Sequence, residues 1–362
     1  MTTILNIDKV LIINPLLWSY KLIPKELNFK MPPEWHKKQR TFLSWPARKE
    51  IWISGIEEAE LAYANVANLI SEFEAVTMIA FGDEIKKAKK LLNSQIEILE
   101  IEHDDSWIRD NGPTFVINDK NDIAGINWIF NAWGNKYKNY QNDNKVSEKI
   151  LNYYGIKIFN APIVMEGGSF HVDGEGTLIT NEECLLNKNR NPNLSKIDIE
   201  NYLKDYLGVE KIIWLKKGLF GDETDGHIDN FCCFTKPGEM VLQSCYDKND
   251  PNYKIFMENF DILKKSTDAK GRKFTIHIIE QPDLYKFQGK RLTLSYINYY
   301  LVNGGLILPT FGGKKNDDDI IAIFKSIFPD RKIVPIDGLP IVKGGGNVHC
   351  ITQQMPFVTQ KS

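Results

Sequence analysis

One arrangement of residues recurs along this chain and constrains its fold more than anything else in it. Two strand-like runs joined by a turn are followed by an amphipathic helix and then by a short apolar strand, five times between residues 41 and 336. Apolar residues at three- and four-residue spacing place the helices near 57–73, 147–154, 195–207, 252–265 and 316–328, the period that buries one helical face. The strands after them cover 75–81, 156–160, 211–215, 273–280 and 332–336; the last four start 55, 62 and 59 residues apart. The unit is therefore near sixty residues. Units of this kind cannot bury their own apolar faces, so they must stack or close into a ring.

Turn chemistry marks the paired strands. Asp173-Gly174-Glu175-Gly176, Lys236-Pro237-Gly238-Glu239 and Asn303-Gly304-Gly305 interrupt runs of strand-forming residues, as hairpins do. Ser195-Lys196-Ile197-Asp198 spells a capping box and starts the third helix. An added helix and strand, near 84–92 and 96–101, lengthen the first interval, and 348–354 is left as a solitary sixth strand. A closed ring could use that strand to seal its first and last units, leaving few exposed edges. The alternative is an ordinary α/β domain without this regularity.

A chain of 362 residues, 43% apolar and 25% charged, can bury the cores such units need. Its net charge of −2 and lack of a long basic block leave nothing to neutralise a phosphate backbone, so nucleic acid is not an expected partner. The apolar start 10–13 is broken by Asn14-Pro15, too short for a signal peptide or a membrane span. The expectation is a cytoplasmic protein with no membrane partner. Five cysteines (Cys184, Cys232, Cys233, Cys245, Cys350) form an odd set without C-x-x-C spacing, so disulfides are not expected and a thiol is free to react. Cys232 and Cys233, as neighbours on a strand, point to opposite faces and suit core packing.

The chemistry gathers in four motifs. Gly344-Gly345-Gly346 delivers Cys350 to the head of the last strand; upstream stand Trp107-Ile108-Arg109-Asp110, Glu166-Gly167-Gly168 and His227-Ile228-Asp229-Asn230. Each falls at the start of a unit, in the turn before its hairpin, and in a ring all would meet at the axis. Read as extended chain, His227-Ile228-Asp229 puts both side chains on one face about 6.5–7 Å apart. His171-Val172-Asp173 repeats the spelling at a turn and reads better as a turn-capping or surface pair. Two such pairs with Glu166 could nominally hold a metal, but H-x-x-x-H and clustered cysteines are both missing.

A thiol, an imidazole and three carboxylates suit a guanidinium. That group is planar, permanently charged and forked, so two opposed aspartates can neutralise it and fix its plane. Its carbon is a poor electrophile, so it must be held within ~3–3.5 Å of the sulfur while a departing nitrogen is protonated. Carboxylates raise a thiol pKa and cations lower it, so the Cys350 thiolate is expected mainly with substrate in place.

At these residues the chain resembles the agmatine deiminases of the guanidino-group-modifying (pentein) superfamily. The carriers are Met31-Pro32-Pro33-Glu34-Trp35, Ser44-Trp45-Pro46, 107–113, Asn131-Ala132-Trp133-Gly134, Glu166-Gly167-Gly168-Ser169, Glu183-Cys184 with the run to Pro192, 221–230 and 344–354. The resemblance implies a five-bladed α/β propeller occupying 31–362 as one catalytic domain, with 1–30 as an N-terminal extension. It implies Cys350 as nucleophile, His227 as acid and base, Asp110 and Asp229 gripping the guanidinium, Glu166 assisting, and Trp107 lining the slot. The reaction implied is agmatine and water to N-carbamoylputrescine and ammonia, within polyamine metabolism, with no metal or organic cofactor, by a homodimer or higher homo-oligomer.

Deiminases of arginine or peptidyl-arginine and amidinotransferases share this machinery, and a catalytically dead propeller would be a binding module. No arginine lies between Arg109 and Arg190, which favours a substrate without a carboxylate. The second charge of agmatine requires an acid or carbonyl, and no basic residue, at the far end of the pocket. Glu223, in the loop leading to His227, is the candidate.

Overall fold

The computed structural model describes residues 22–359 except residue 53, so Leu16-Leu17-Trp18 and most of the 1–30 segment lie outside the described residues. The first unit comprises β1 (Lys38–Ser44), α1 (Ile56–Ile70), β2 (Ala75–Ala80), α2 (Glu84–Leu91) and β3 (Glu97–Glu100). After the short helix α3 (Ile108–Asn111), the second holds β4 (Thr114–Ile117), β5 (Ile123–Ile129), α4 (Ala132–Asn135), α5 (Val146–Tyr153) and β6 (Lys157–Val164). The third has β7 (Phe170–Val172), β8 (Thr177–Asn181), α6 (Glu182–Leu185), α7 (Lys196–Leu207) and β9 (Lys211–Leu215). The fourth has β10 (Cys232–Lys236), β11 (Glu239–Ser244), α8 (Pro251–Lys265) and β12 (Thr275–Glu280), and a small hairpin, β13 (Lys286–Phe287) and β14 (Lys290–Arg291), follows it. The fifth has β15 (Tyr300–Val302), β16 (Gly305–Thr310), α9 (Lys314–Ile327), β17 (Lys332–Asp337) and α10 (Leu339–Val342) before the last strand, β18 (Gln353–Pro356).

Units two to five each form a three-stranded sheet: an antiparallel hairpin, then a parallel strand that returns after the helix. In the first sheet the hairpin partner of β1 is β18, from the other end of the chain, paired antiparallel with Thr41 opposite Gln354. The solitary strand is thus a partner of the first unit, but it runs 353–356 and not 348–354; residues 348–351 form a turn. Local chemistry sets the other boundaries. Ser195 accepts from the Asp198 N–H and Asp198 returns to the Ser195 N–H, closing the capping box, while Gly208 ends α7 at φ 67°. In the β7–β8 turn Asp173 Oδ1 accepts from the N–H groups of Glu175 and Thr177.

Five apolar cores each join two units. Phe42 and Ile79 pack with Phe115 and Leu151 between units one and two; Ile126 and Phe159 with Phe170 and Leu203 between two and three. Ile179 and Leu215 meet Phe234 and Met240, and Val241 and Ile279 meet Leu306 and Phe324. The fifth core packs Leu43 and Met78 of unit one against Tyr300 and Ile307 of unit five. Burial at these joints supplies most of what holds the units together, at about 25 cal/mol per Å² of apolar surface. Pro24–Leu27 lies against α7, and Phe29 is buried in the second core. All five cysteines are buried and unpaired; Cys232 and Cys233 enter different cores. No helix among the described residues is long and apolar enough to cross a membrane.

Candidate active site

Five connections lead into the first strands of the five sheets, β4, β7, β10, β15 and β18, and their side chains meet. Asp110 stands on α3, Glu166 precedes the turn 167–169, His227 and Asp229 begin the turn 228–230, and Cys350 sits in the turn before β18. The His227 to Asp229 stretch is a 3₁₀ turn and not extended chain. It has no strand partner to hold a pleat, and buried Ile228 anchors the turn in the core between units three and four.

The Cys350 sulfur lies 3.6 Å from Asp229 Oδ2. Asp110 is fixed by two donors, the Trp133 indole N–H at 2.9 Å and the Gly168 N–H at 3.0 Å. Glu166 accepts from Arg190 Nε at 2.8 Å. Between those two carboxylates lies the His227 ring, with Nδ1 3.7 Å from Asp110 and Nε2 3.7 Å from Glu166. Both distances are too long for hydrogen bonds, so the buried ring has none. Asp229 Oδ2 accepts from His349 Nδ1 at 2.8 Å, His349 Nε2 meets Glu34 at 2.7 Å, and Asp229 Oδ1 is buried without a partner. These unsatisfied groups are costly in a folded protein and mark where polar atoms of a ligand would be bonded.

The charges follow from burial and neighbours. Burial pushes the Cys350 thiol well above its ordinary value, and Asp229 and Asp110 add to the rise. Burial would lower His227, yet Asp110, Cys184 and Glu166 around it hold it well above the usual imidazole range. Burial raises Asp110, helped by Asp229 and Glu166. Glu166 and Asp229 resist burial and are held below the usual carboxylate range, the first chiefly by Arg190 and the second by the His349 bond. Without a bound cation the site therefore keeps a proton on His227 and a neutral thiol.

A cavity of about 40 Å³ is lined by Trp107, Asp110, Trp133, Glu223, Gly346 and Cys350, and an outer one of about 260 Å³ shares Tyr137 and Glu223 with it. Trp107 stacks on Trp52 at 5.8 Å. The far end is not free of basic residues as expected: Lys136 lines the rim, its ammonium tied to Asp225 at 3.1 Å and to the Glu223 carbonyl, and Lys290, Arg291 and Lys343 line the outer cavity, Arg291 paired with Asp250 and Lys343 with Glu58. Arg190 is taken by Glu166 and Asp225, and Arg109 uses Nη1 on Glu34 and Nε on the His349 carbonyl, leaving Nη2 alone unbonded, so neither offers a two-armed fork.

The metal set suggested by two H-x-D pairs does not form, because His171 turns to Glu34 and Asp173 caps its hairpin. Glu166, Cys184 and His227 do bring one potential ligand atom each within 4.8 Å of one another. A cation there would face the Arg190 guanidinium that already neutralises Glu166, so this trio fits a metal poorly. Sequence reasoning gave no part to Trp133, Arg190, His349 or Glu34, nor did it place Cys184 4.0 Å from Glu166. The sequence carried no signal for these partners beyond their place in the motifs of the resemblance; the structure adds that Ala132 and Trp133 are both left-handed at φ 53°, a strain that sites tend to hold.

Known proteins share this architecture. A family model described as Porphyromonas-type peptidyl-arginine deiminase matches residues 30–356. The agmatine deiminase of Pseudomonas aeruginosa (strain LESB58) is 45% identical over 357 residues, covering 92% of this chain and 97% of that protein. That of Stutzerimonas stutzeri (strain A1501) is 43% identical with the same coverage. Among solved structures, the Enterococcus faecalis agmatine deiminase aligns with a TM-score of 0.89 at 37% identity, covering 92% of this chain and 98% of its own. The C. jejuni agmatine deiminase, solved as a cysteine-to-serine variant with substrate bound, gives 0.85 at 30%, with coverage of 92% and 97%.

Proposed function

The chain belongs to the agmatine deiminase family, within the Porphyromonas-type peptidyl-arginine deiminases, and from that premise we propose that it hydrolyses agmatine to N-carbamoylputrescine and ammonia through a thioether on Cys350. The observation that carries the reading is the buried His227 ring, unbonded between Asp110 and Glu166, in the pocket where Cys350 lies against Asp229.

Asp110 and Asp229 take the guanidinium, and its charge lowers the cost of a thiolate beside them, the thiol proton leaving to solvent as the net proton of the reaction. The sulfur adds to the guanidinium carbon; the C–N bond then breaks as His227 gives its proton to the departing nitrogen, which leaves as ammonia. Water then adds to the amidino carbon and yields a proton to His227, and the C–S bond breaks to release the ureido product and the thiol. Glu166, paired with Arg190, faces the imidazolium before the first of these steps and after the second, and keeps the neutral ring in place between them.

The substrate is read as decarboxylated because neither Arg109 nor Arg190 is open to a carboxylate. Glu223, at the rim shared by the two cavities, is the proposed partner of the distal amine. We read the five sheets as blades of a propeller, since four cores join successive units and the fifth joins the last to the first. Residues 31–362 are proposed as its catalytic domain, working as a cytoplasmic homodimer or larger homo-oligomer.

The test is an assay of agmatine, arginine and a peptidyl-arginine side by side. Equimolar ammonia and N-carbamoylputrescine from agmatine alone are expected, with none from Cys350→Ala. Turnover of arginine with agmatine untouched, or transfer of the amidino group to an added amine without ureido product, would replace the proposal with one of its rivals.

A further inference from the structure

Four of the five connections that enter the sheets carry residues of the proposed chemistry. The fifth, entering β15, carries Asn298, which is completely buried. Asn298 Nδ2 lies 3.1 Å from the Cys350 sulfur, closer than the Asp229 carboxylate. Its amide can sit only one way round. Oδ1 faces the backbone N–H of His349 at 3.0 Å and that of Cys350 at 3.4 Å, and those groups can only donate. Nδ2 therefore faces the acceptors, Asn230 Oδ1 at 2.8 Å and the sulfur at 3.1 Å; the sulfur is farther from Oδ1, at 3.5 Å, where only the thiol form can donate. Asn230 is oriented in turn by donating to Asp222 at 2.8 Å.

We propose that Asn298 is a further catalytic residue, whose side-chain N–H donates to the Cys350 sulfur, favours its thiolate form and holds it at the slot. A thiol is a weak acceptor and a thiolate a much better one, so the bond strengthens as the proton leaves. Burial, Asp229 and Asp110 all oppose ionisation of Cys350; a backbone N–H of Asn347 and the Asn298 side chain pull the other way. The same amide grips the turn that carries the nucleophile, so the sulfur is charged and aimed by one group.

The inference rests on Cys350 being the nucleophile, but its test needs no substrate. Iodoacetamide alkylation of Cys350 at pH 8, followed by peptide mass spectrometry, reports the thiolate. Loss of a bond to a charged group, about 1.5–3 kcal/mol, raises the thiol pKa by about 1–2 units. The more basic thiolate is intrinsically more nucleophilic, which recovers part of the loss. Asn298→Ala should therefore alkylate about 3- to 10-fold more slowly, with a lower kcat and a nearly unchanged KM. The His349 N–H keeps the Asn298 backbone carbonyl at 3.1 Å in that variant. Asn298→Asp, which retains both backbone bonds but replaces the donor with a carboxylate that itself disfavours a thiolate, should slow more than the alanine variant and serves if that variant does not fold. Alkylation as fast as or faster than wild type in either folded variant overturns the role, since a merely loosened turn would expose the thiol. Failure of the agmatine reading would leave the alkylation result standing.

Discussion

At the scale of single residues, one missing methyl group permits the site. A Cβ on Gly168 would stand 2.6 Å from His227 Nδ1, 2.9 Å from Asp229 Oδ2 and 3.1 Å from Asp110 Oδ1, so three side chains converge on space that only glycine leaves. Gly168→Ala is expected to lower kcat by about 100-fold or more, because ångström displacements of reacting groups cost that much. Its overpacking should cost about 1–3 kcal/mol in a denaturation curve; wild-type kcat would show that the groups need not converge. His227 allows a pH test. Its value in the fold is raised, so its contribution to stability is complete below the unfolded value of about 6.5 and is lost as pH rises through the folded one. The melting gap between wild type and His227→Asn should be widest near pH 6 and shrink toward pH 9. A gap that widens with pH would contradict a held imidazolium. His227→Ala should also lose about 10² to 10⁴ in the chemical step. Selectivity rests on Glu223: Glu223→Gln should weaken agmatine by about 1.5–3 kcal/mol while sparing an alkylguanidine without the amine. Equal losses for both would move the amine partner elsewhere.

At the scale of elements, the long helices were legible, most of them to within a residue or two, because period and caps agree; the expected 57–73 ends three residues early at Ile70, and the four-residue helices went unread. The expected 195–207 became Lys196–Leu207, and 252–265 became Pro251–Lys265. The two misread segments are those that carry the chemistry. Alternation in His227-Ile228-Asp229 and in 348–354 looks like strand, but alternation means strand only where a ladder partner exists. The first has none and the second has one, β1, only from residue 353 on; short polar side chains close turns in the rest. Asn347 Oδ1 accepts from the Val348 N–H, and the Thr352 hydroxyl lies 2.9 and 3.0 Å from the carbonyls of Val348 and His349. Replacing Thr352 by isosteric valine leaves those carbonyls short of a donor next to the nucleophile. About 1–3 kcal/mol of stability should be lost in urea titration, with kcat falling as the turn loosens. An unchanged midpoint and rate would mean that the turn is held by its neighbours alone. Asn298 went unread for a related reason: in Tyr296-Ile297-Asn298-Tyr299-Tyr300 a lone amide among aromatics looks like a core defect, and only the fold shows the sulfur beside it.

At the scale of the whole molecule, the repeat was legible because each unit solves the same burial problem, and the strand left over at the end pointed to a seal on the first unit; the bounds and register of its pairing with β1 left no local trace. That pairing couples chemistry to stability. β18 lies two residues beyond Ile351 and three beyond Cys350, and β1 holds it against the core containing Phe42 and Met355. A chain ending after residue 352 would keep every residue of the proposed chemistry and lose this strand. It forfeits burial of Met355, about 1.5–3 kcal/mol, and the β1 ladder, and it exposes β1 as an unpaired edge. Together these are a large part of the roughly 5–15 kcal/mol that a domain commonly has. Such a chain should be inactive and show a collapsed urea midpoint, with the loss reaching the fluorescence of Trp45 and Trp52 in unit one, since both share a core with Tyr300 and Ile307 of unit five. A chain ending after residue 358 keeps β18 and should differ from wild type by no more than about 0.5 kcal/mol. If the shorter chain instead retained a wild-type midpoint, the joint between the ends of the chain would be dispensable, and the reading of five mutually supporting units would fail with it.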